Sequence, residues 1–400
     1  MKRFFIILLA AAFCLTGCEY WFGCGEEKER QVVLVYMAGN NSLSFEGESD
    51  FQEVLDAFLP SSYDDSHILL AFCHFIDQTP VLKRISRDGN GSPVEEIVRE
   101  FPFDTNSATA QTLSLVCTYA HEAYPAERNG LVLWSHGTGF LPPGYYANPI
   151  DIPDAMDACD SDAAYDPYAG LVKSFAEDHG KEISLDGLRG ALSGNVHYDF
   201  ILFDCCLMAN VEVGFELWDC ADYLLFSPTE ILSDGFPYDS MMQTLFSMPA
   251  EEAMLKVAQD YMAHYRALEG VYRSATICLL TTRDQALQKL AAACKPVFEN
   301  HRDQILTLDR SKVQPYFRFE HPWFYDIDDF VGQVADDDEY RAFTAALQNA
   351  VLFKDATEKF LSIDIKHYSG LSIYIPRTDY TVLNNYYRTL RWNQASDLVR

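Results

Sequence analysis

Residues 199–217 read Asp-Phe-Ile-Leu-Phe-Asp-Cys-Cys-Leu-Met-Ala-Asn-Val-Glu-Val-Gly-Phe-Glu-Leu. Phe200 to Phe203 is an apolar, β-rich run too short for a helix of its own, and it breaks into an acid and two thiols at Asp204-Cys205-Cys206. Leu207, Val211 and Phe215, with Met208 filling the groove, then recur at helical spacing, so the cysteines fall at a strand-to-helix turn. A buried parallel strand ending in such a loop is a usual place for catalytic groups. A second stretch has the same form: Gly130-Leu-Val-Leu-Trp-Ser-His-Gly-Thr-Gly139 is a short strand running into a His among small residues. A free thiol is mostly protonated at neutral pH and the thiolate is the nucleophile, so a cysteine hydrolase needs an imidazole that takes the proton and later returns it to the leaving amine. Two adjacent strands can supply both groups.

At these residues the chain resembles the clostripain-like cysteine peptidases, which share a caspase-like fold with gingipains and legumains. Val32 to Ser44 (VVLVYMAGNNSLS) is similar to that family's first strand and turn, Leu133 to Gly139 to its His motif, and Leu202 to Met208 to its Asp-Ala-Cys nucleophile motif. Ser369 to Pro376 (SGLSIYIP) resembles a late strand, so the resemblance covers nearly everything after residue 31. It implies an α/β fold with a caspase-like, mostly parallel sheet flanked by helices, a catalytic core over residues 31–250 and an appended C-terminal α/β part over 251–400 packed on it.

The resemblance also implies roles. His136 is the general base, and Gly137 lets the backbone approach a bound carbonyl so that its N–H helps form an oxyanion hole. Cys206 stands two places after Asp204, where the family carries its thiol, and Cys205 stands where Ala is usual. Successive side chains at a strand end point to opposite faces, so Cys205 is expected to pack as a small buried hydrophobe. Asp204 reads either as a helix cap or as the floor of the pocket for the residue before the scissile bond (P1); the family favours the second, with a substrate Arg or Lys as the acid's partner. Glu230 and Asp234 are candidates to add to that pocket. The reading is a cysteine endopeptidase working through a Cys/His dyad and an acyl-enzyme; the other readings are a catalytically inactive peptide-binding lipoprotein of the same fold, or a legumain-type transpeptidase. No metal takes part in the chemistry. Calcium is open as a structural or activating ion, because some relatives need it and Asp151 to Asp166 is acidic, although its spacing is not that of an EF-hand.

Ahead of the body, Lys2 and Arg3 precede an apolar stretch from Phe4 to Phe13, and Leu15-Thr-Gly-Cys18 has the form of a bacterial lipobox. Even counted on to Gly17, the run of about 14 residues falls short of the roughly 20 that span a bilayer. The expectation is a signal peptide over 1–17, a lipid anchor on Cys18, and a tether over 18–30 in which Gly23, Gly25 and the charges from Glu26 to Arg30 oppose a packed core. The body then faces the periplasm or the cell exterior, as a monomer acting on peptide or protein substrates. A net charge of −29 makes nucleic acid an improbable partner, and 48% hydrophobic residues allow a sizeable core. Of eleven cysteines, Cys14 leaves with the signal and Cys18 is acylated, which leaves an odd number and argues against a disulfide framework.

Along the body, strand and helix signals alternate: Val32 to Met37 a strand, Phe51 to Leu59 a helix, His67 to Phe75 a strand, then a hairpin excursion around Asp88-Gly-Asn-Gly-Ser92. Ser107 is read as the cap of a helix running to Ala123, and Ser184 as the cap of the helix before the nucleophile strand. Phe140 to Gly170 is a long acidic stretch without Lys or Arg; in the family this region can be cut after a basic residue, and the first one here is Lys173. At the end, Lys359 to Ile365 and Leu371 to Ile375 are read as two strands that pair near His367-Tyr-Ser-Gly370.

Overall fold

The computed structural model describes residues 29–149, 151, 178–318 and 322–400. The signal peptide, Cys18, nearly all of the tether, Lys173, and the acidic stretch beyond Asp151 lie outside the described residues. Ten strands come first in the chain: β1 Gln31–Gly39, β2 His67–Phe75, β3 Val81–Arg87, β4 Pro93–Glu100, β5 Arg128–Trp134, β6 Tyr198–Asp204, β7 Ala221–Phe226, β8 Thr276–Thr281, β9 Tyr325–Asp326 and β10 Val351–Ala356. Nine of them form one sheet in the order β10-β8-β7-β6-β5-β1-β2-β3-β4.

The five central strands, from β7 to β2, run parallel, while β8 and β10 at one edge and β3 and β4 at the other pair antiparallel. Parallel pairing demands cover on both faces, and β1 answers it: all nine of its residues, QVVLVYMAG, are buried. The β3–β4 hairpin is an edge of this sheet, not an excursion from it. On the other side the sheet runs through residue 250, since β8 and β10 extend it beyond β7.

The helices that matter for the site are α1 Ser44–Asp56, α2 Ala110–Ala123, α3 Leu185–Ser193, α4 Val211–Glu216, α5 Tyr238–Ser247 and α6 Ala250–Ala267. α1 starts well before Phe51. Ser184 caps α3 as its spacing predicts, accepting the Gly187 N–H. α2 is capped by Thr109, whose side chain accepts the Thr112 N–H; Ser107, two residues upstream, instead gives its N–H and hydroxyl to the Asp178 carboxylate at 2.6 and 2.9 Å. A local cap signal thus loses to a buried acid far along the chain.

The chain ends differently from its sequence pattern. β11 Lys359–Phe360 pairs with β12 Ile363–Asp364 inside the first predicted strand, and β13 Ser372–Ile373 pairs with β9. The reason is a competing partner: the Ser372 N–H bonds the Ala209 carbonyl at 2.9 Å and the Ile327 N–H bonds that of Leu371 at 3.1 Å, which draws this segment to the turn after β6.

β1 sits between β2 and β5, so the winding reverses between β1 and β5. Crevices open at the carboxyl ends of strands at such a reversal. The segments leaving β1, β5 and β6 carry Ser42, His136 and Cys206.

Candidate active site

β5 and β6 are paired through Trp134 and Asp204, and the Ser135 N–H still reaches the Asp204 carbonyl at 3.4 Å, so the two chains leave the sheet side by side. Immediately beyond, Gly137 lies on the backbone of Cys206: a Cβ there would stand 2.3 Å from the Cys206 carbonyl oxygen and 3.0 Å from its nitrogen. No side chain fits, which is why a glycine follows the His. After the cysteines the chain turns through Leu207 at φ 61°, a left-handed conformation that costs a residue with a Cβ roughly 1–2 kcal/mol. Hydrogen bonds to the segment after β7 hold it there, from the Leu207 N–H to Thr229 and from the Ala209 N–H to Ser227. The helix begins only at Val211, capped by Asn210, so Leu207 and Met208 belong to the turn and Asp204 is not a cap.

The two sulfurs differ in their hydrogen-bond partners. Cys205 donates its S–H to the Leu133 carbonyl at 3.2 Å, an arrangement that requires the protonated thiol, and borders a cavity of about 90 Å³ shared with His136 and Met208. Cys206, 1% exposed, receives the Ile231 N–H on its Sγ at 3.2 Å and directs its own S–H at the Ile231 carbonyl at 3.8 Å. A donor aimed at sulfur stabilises negative charge there. His136 is buried, and its Nε2 lies 3.2 Å from the Ser42 hydroxyl, a contact with no sequence signal.

The family profile of clostripain matches residues 35–151 and 161–396. The chain belongs to the clostripain family. It is a cysteine peptidase, and its substrates are peptides or proteins. Among solved structures it is similar to an inactive zymogen C11 protease from Parabacteroides distasonis, with a TM-score of 0.75 and 29% identity over 92% of this chain and 98% of that one. It is also similar to a secreted C11 cysteine protease from Bacteroides thetaiotaomicron, in complex with an irreversible peptide inhibitor, with a TM-score of 0.74 and 26% identity over 92% of this chain and 99% of that one. No match is found among curated proteins.

On this peptidase two clefts flank the segment after β1. The first, about 660 Å³, has Asn40, Ser42, His74, His136, His179 and Glu182 on its walls. The second, about 570 Å³, is acidic, with Glu46, Asp50, Glu53, Asp234 and Glu269 along it. Of the candidate pocket acids, Asp234 lines the second cleft, while Asp204 and Glu230 are not on its walls. Asp204 is fully buried and accepts the Tyr238 hydroxyl at 3.0 Å; burial, with Asp204 and Asp50 close by, raises the Tyr238 phenol well above its ordinary range. Burial and then Asp204 and Cys206 raise the Tyr261 phenol in the same way. Asp50 in turn accepts the Trp134 indole N–H at 2.6 Å. Asp234 is on the exposed rim, bonded to His264 at 2.8 Å. Glu230 is buried and paired with the equally buried Arg318 at 2.7 Å, so the chain itself supplies a cation to that acid.

Among the described residues no group of three or more His, Cys, Asp or Glu side chains could hold a metal ion, and no helix is long and apolar enough to cross a membrane. Of the acidic stretch only Asp151 is described; its carboxylate caps the helix Thr381–Tyr387 by accepting the Val382 and Leu383 N–H groups at 2.9 and 2.8 Å.

Proposed function

We propose that this peptidase is an endopeptidase that cleaves after Arg or Lys through Cys206 and His136. The observation that carries the choice of nucleophile is the Ile231 N–H aimed at the Cys206 sulfur at 3.2 Å, a donor that favours the thiolate, while the S–H of Cys205 is directed at the Leu133 carbonyl. His136 takes the Cys206 proton, the thiolate attacks the carbonyl carbon, and the N–H groups of Gly137 and Cys206 receive the oxyanion. His136 then passes its proton to the departing amine, leaving a thioester. Water, deprotonated by His136, hydrolyses the thioester and restores the thiol.

A cation before the scissile bond would meet Asp204 at the pocket floor and Asp234 at its rim, with the acidic cleft attracting it. Asp204 is fully covered, so a substrate side chain reaches it only by displacing what lies over it. Glu230 in this scheme holds Arg318 and does not meet substrate. Hydrolysis of P1-Arg, P1-Lys, P1-Asp, P1-Asn and P1-Ala peptides, each with and without calcium, tests the reading: the two basic substrates should lead by at least about 30-fold in kcat/KM, and an equal or reversed ranking would refute the pocket.

The same reading takes the mature protein as a monomer anchored through a lipid on Cys18. A palmitate analogue should label the wild type and not Cys18→Ala.

A further inference from the structure

We propose that Ser42 is a positioning residue for His136: its hydroxyl accepts the Nε2–H of the imidazole and so leaves Nδ1 as the nitrogen that exchanges a proton with Cys206. This rests on the Cys206–His136 reading above. An imidazole has two ring nitrogens, and in its neutral form only one carries a proton. Nε2 lies 3.2 Å from the Ser42 hydroxyl, and in the tautomer that donates from Nε2 the basic lone pair falls on Nδ1. The same bond persists and strengthens when the ring becomes an imidazolium, because a charged donor makes the stronger hydrogen bond. Ser42 therefore favours both the correct tautomer and the thiolate–imidazolium pair.

The hydroxyl is held where it can do this. The Asn41 side chain closes a tight turn around it, accepting the Leu43 N–H on Oδ1 at 2.9 Å and giving Nδ2 to the Ala38 carbonyl at 3.0 Å. Leu43 is buried, and Asn40 is tied through Nδ2 to Asp178 at 2.9 Å. The Ala38 carbonyl also receives the hydroxyl of Ser135, the residue before His136, at 2.9 Å. One carbonyl thus fixes the loop that carries Ser42 and the strand end that carries His136 in a common frame. A hydroxyl so placed loses little entropy in making its bond, unlike a surface serine that meets a His by chance.

The test compares wild type, Ser42→Ala, Ser42→Thr and His136→Ala in the full mature chain. Ser42→Ala should lower kcat about tenfold with KM within about twofold, Ser42→Thr should recover most of the loss, and thermal melting should be unchanged. In addition, the pH profile for alkylation of Cys206 by iodoacetamide should move to higher pH in Ser42→Ala, because a less stabilised imidazolium supports the thiolate less well. A wild-type kcat together with an unmoved alkylation profile in Ser42→Ala overturns the role of Ser42 while leaving the dyad intact. Unchanged alkylation and hydrolysis in His136→Ala overturn both.

Discussion

The proposed chemistry side of the site and the proposed selectivity side are built by different means. His136 and Cys206 follow the ends of neighbouring parallel strands, and the segments that bear them are brought together by main chain: paired strands, a glycine with no room for a Cβ, and a left-handed turn pinned to the segment after β7. Glu230 and Asp234 pair with side chains from elsewhere, Arg318 and His264, while Asp204, at the end of β6, shares the main-chain frame and adds a bond from Tyr238. Backbone placement admits little variation, whereas side-chain pairs can be exchanged one at a time. Reaction type should therefore be the fixed property of this site and specificity the adjustable one.

The largest expected effect probes the fixed side. Cys206→Ala should lower hydrolysis at least about a thousandfold and abolish labelling by an acyloxymethyl ketone, while Cys205→Ala keeps most of both. Persistent labelling of Cys206→Ala would reverse the assignment of the two sulfurs. Next, Asp204→Asn should remove about 30-fold to several-thousand-fold of the preference for P1-Arg over P1-Ala while the P1-Ala rate changes little. An undiminished preference would move selection to the cleft rim, and a collapse of both rates would show that the two sides are not separable.

The smallest effect concerns Glu212 on α4, behind the chemistry side, which accepts the Tyr387 hydroxyl and, at 3.0 Å, the Tyr374 N–H. Burial raises its carboxyl from 4.5 to about 7. The unfolded chain releases this proton near the lower value and the folded chain keeps it to the higher one, so stability is fully present at low pH and falls as pH rises through that window. Urea melts of wild type and Glu212→Gln at pH 4.5 and 7.5 should show the wild type losing about 3 kcal/mol relative to the variant, and parallel pH dependences would contradict it.

The same division explains what could be read beforehand. Strand ends followed by His-Gly or by Asp-Cys-Cys are local patterns, so the parallel sheet and the meeting of β5 with β6 follow from short stretches. A single serine leaves no periodic trace, and Ser42 has meaning only through a His on another strand. Arg318 and Glu230, buried together though far apart in the chain, are equally silent, since nothing local marks which acid keeps a cation of the protein's own. Ser107 failed as a cap, and Leu371 to Ile375 found another strand, for one reason: a distant buried partner outcompeted the neighbouring one.

The extension of the sheet past residue 250 bears on how the chain can be shortened. β7, with the sequence ADYLLF, is an interior strand only because β8 lies against it. A fragment ending near residue 250 would present that strand as a bare rim of unpaired amides and carbonyls beside apolar side chains, a template for association between copies. The opposite rim is guarded: β4 begins with Pro93 and carries Glu95, Glu96, Arg99 and Glu100. The β4 border is complete once residue 100 is made, whereas β7 becomes an interior strand only when β8 and β10, later in the chain, are added.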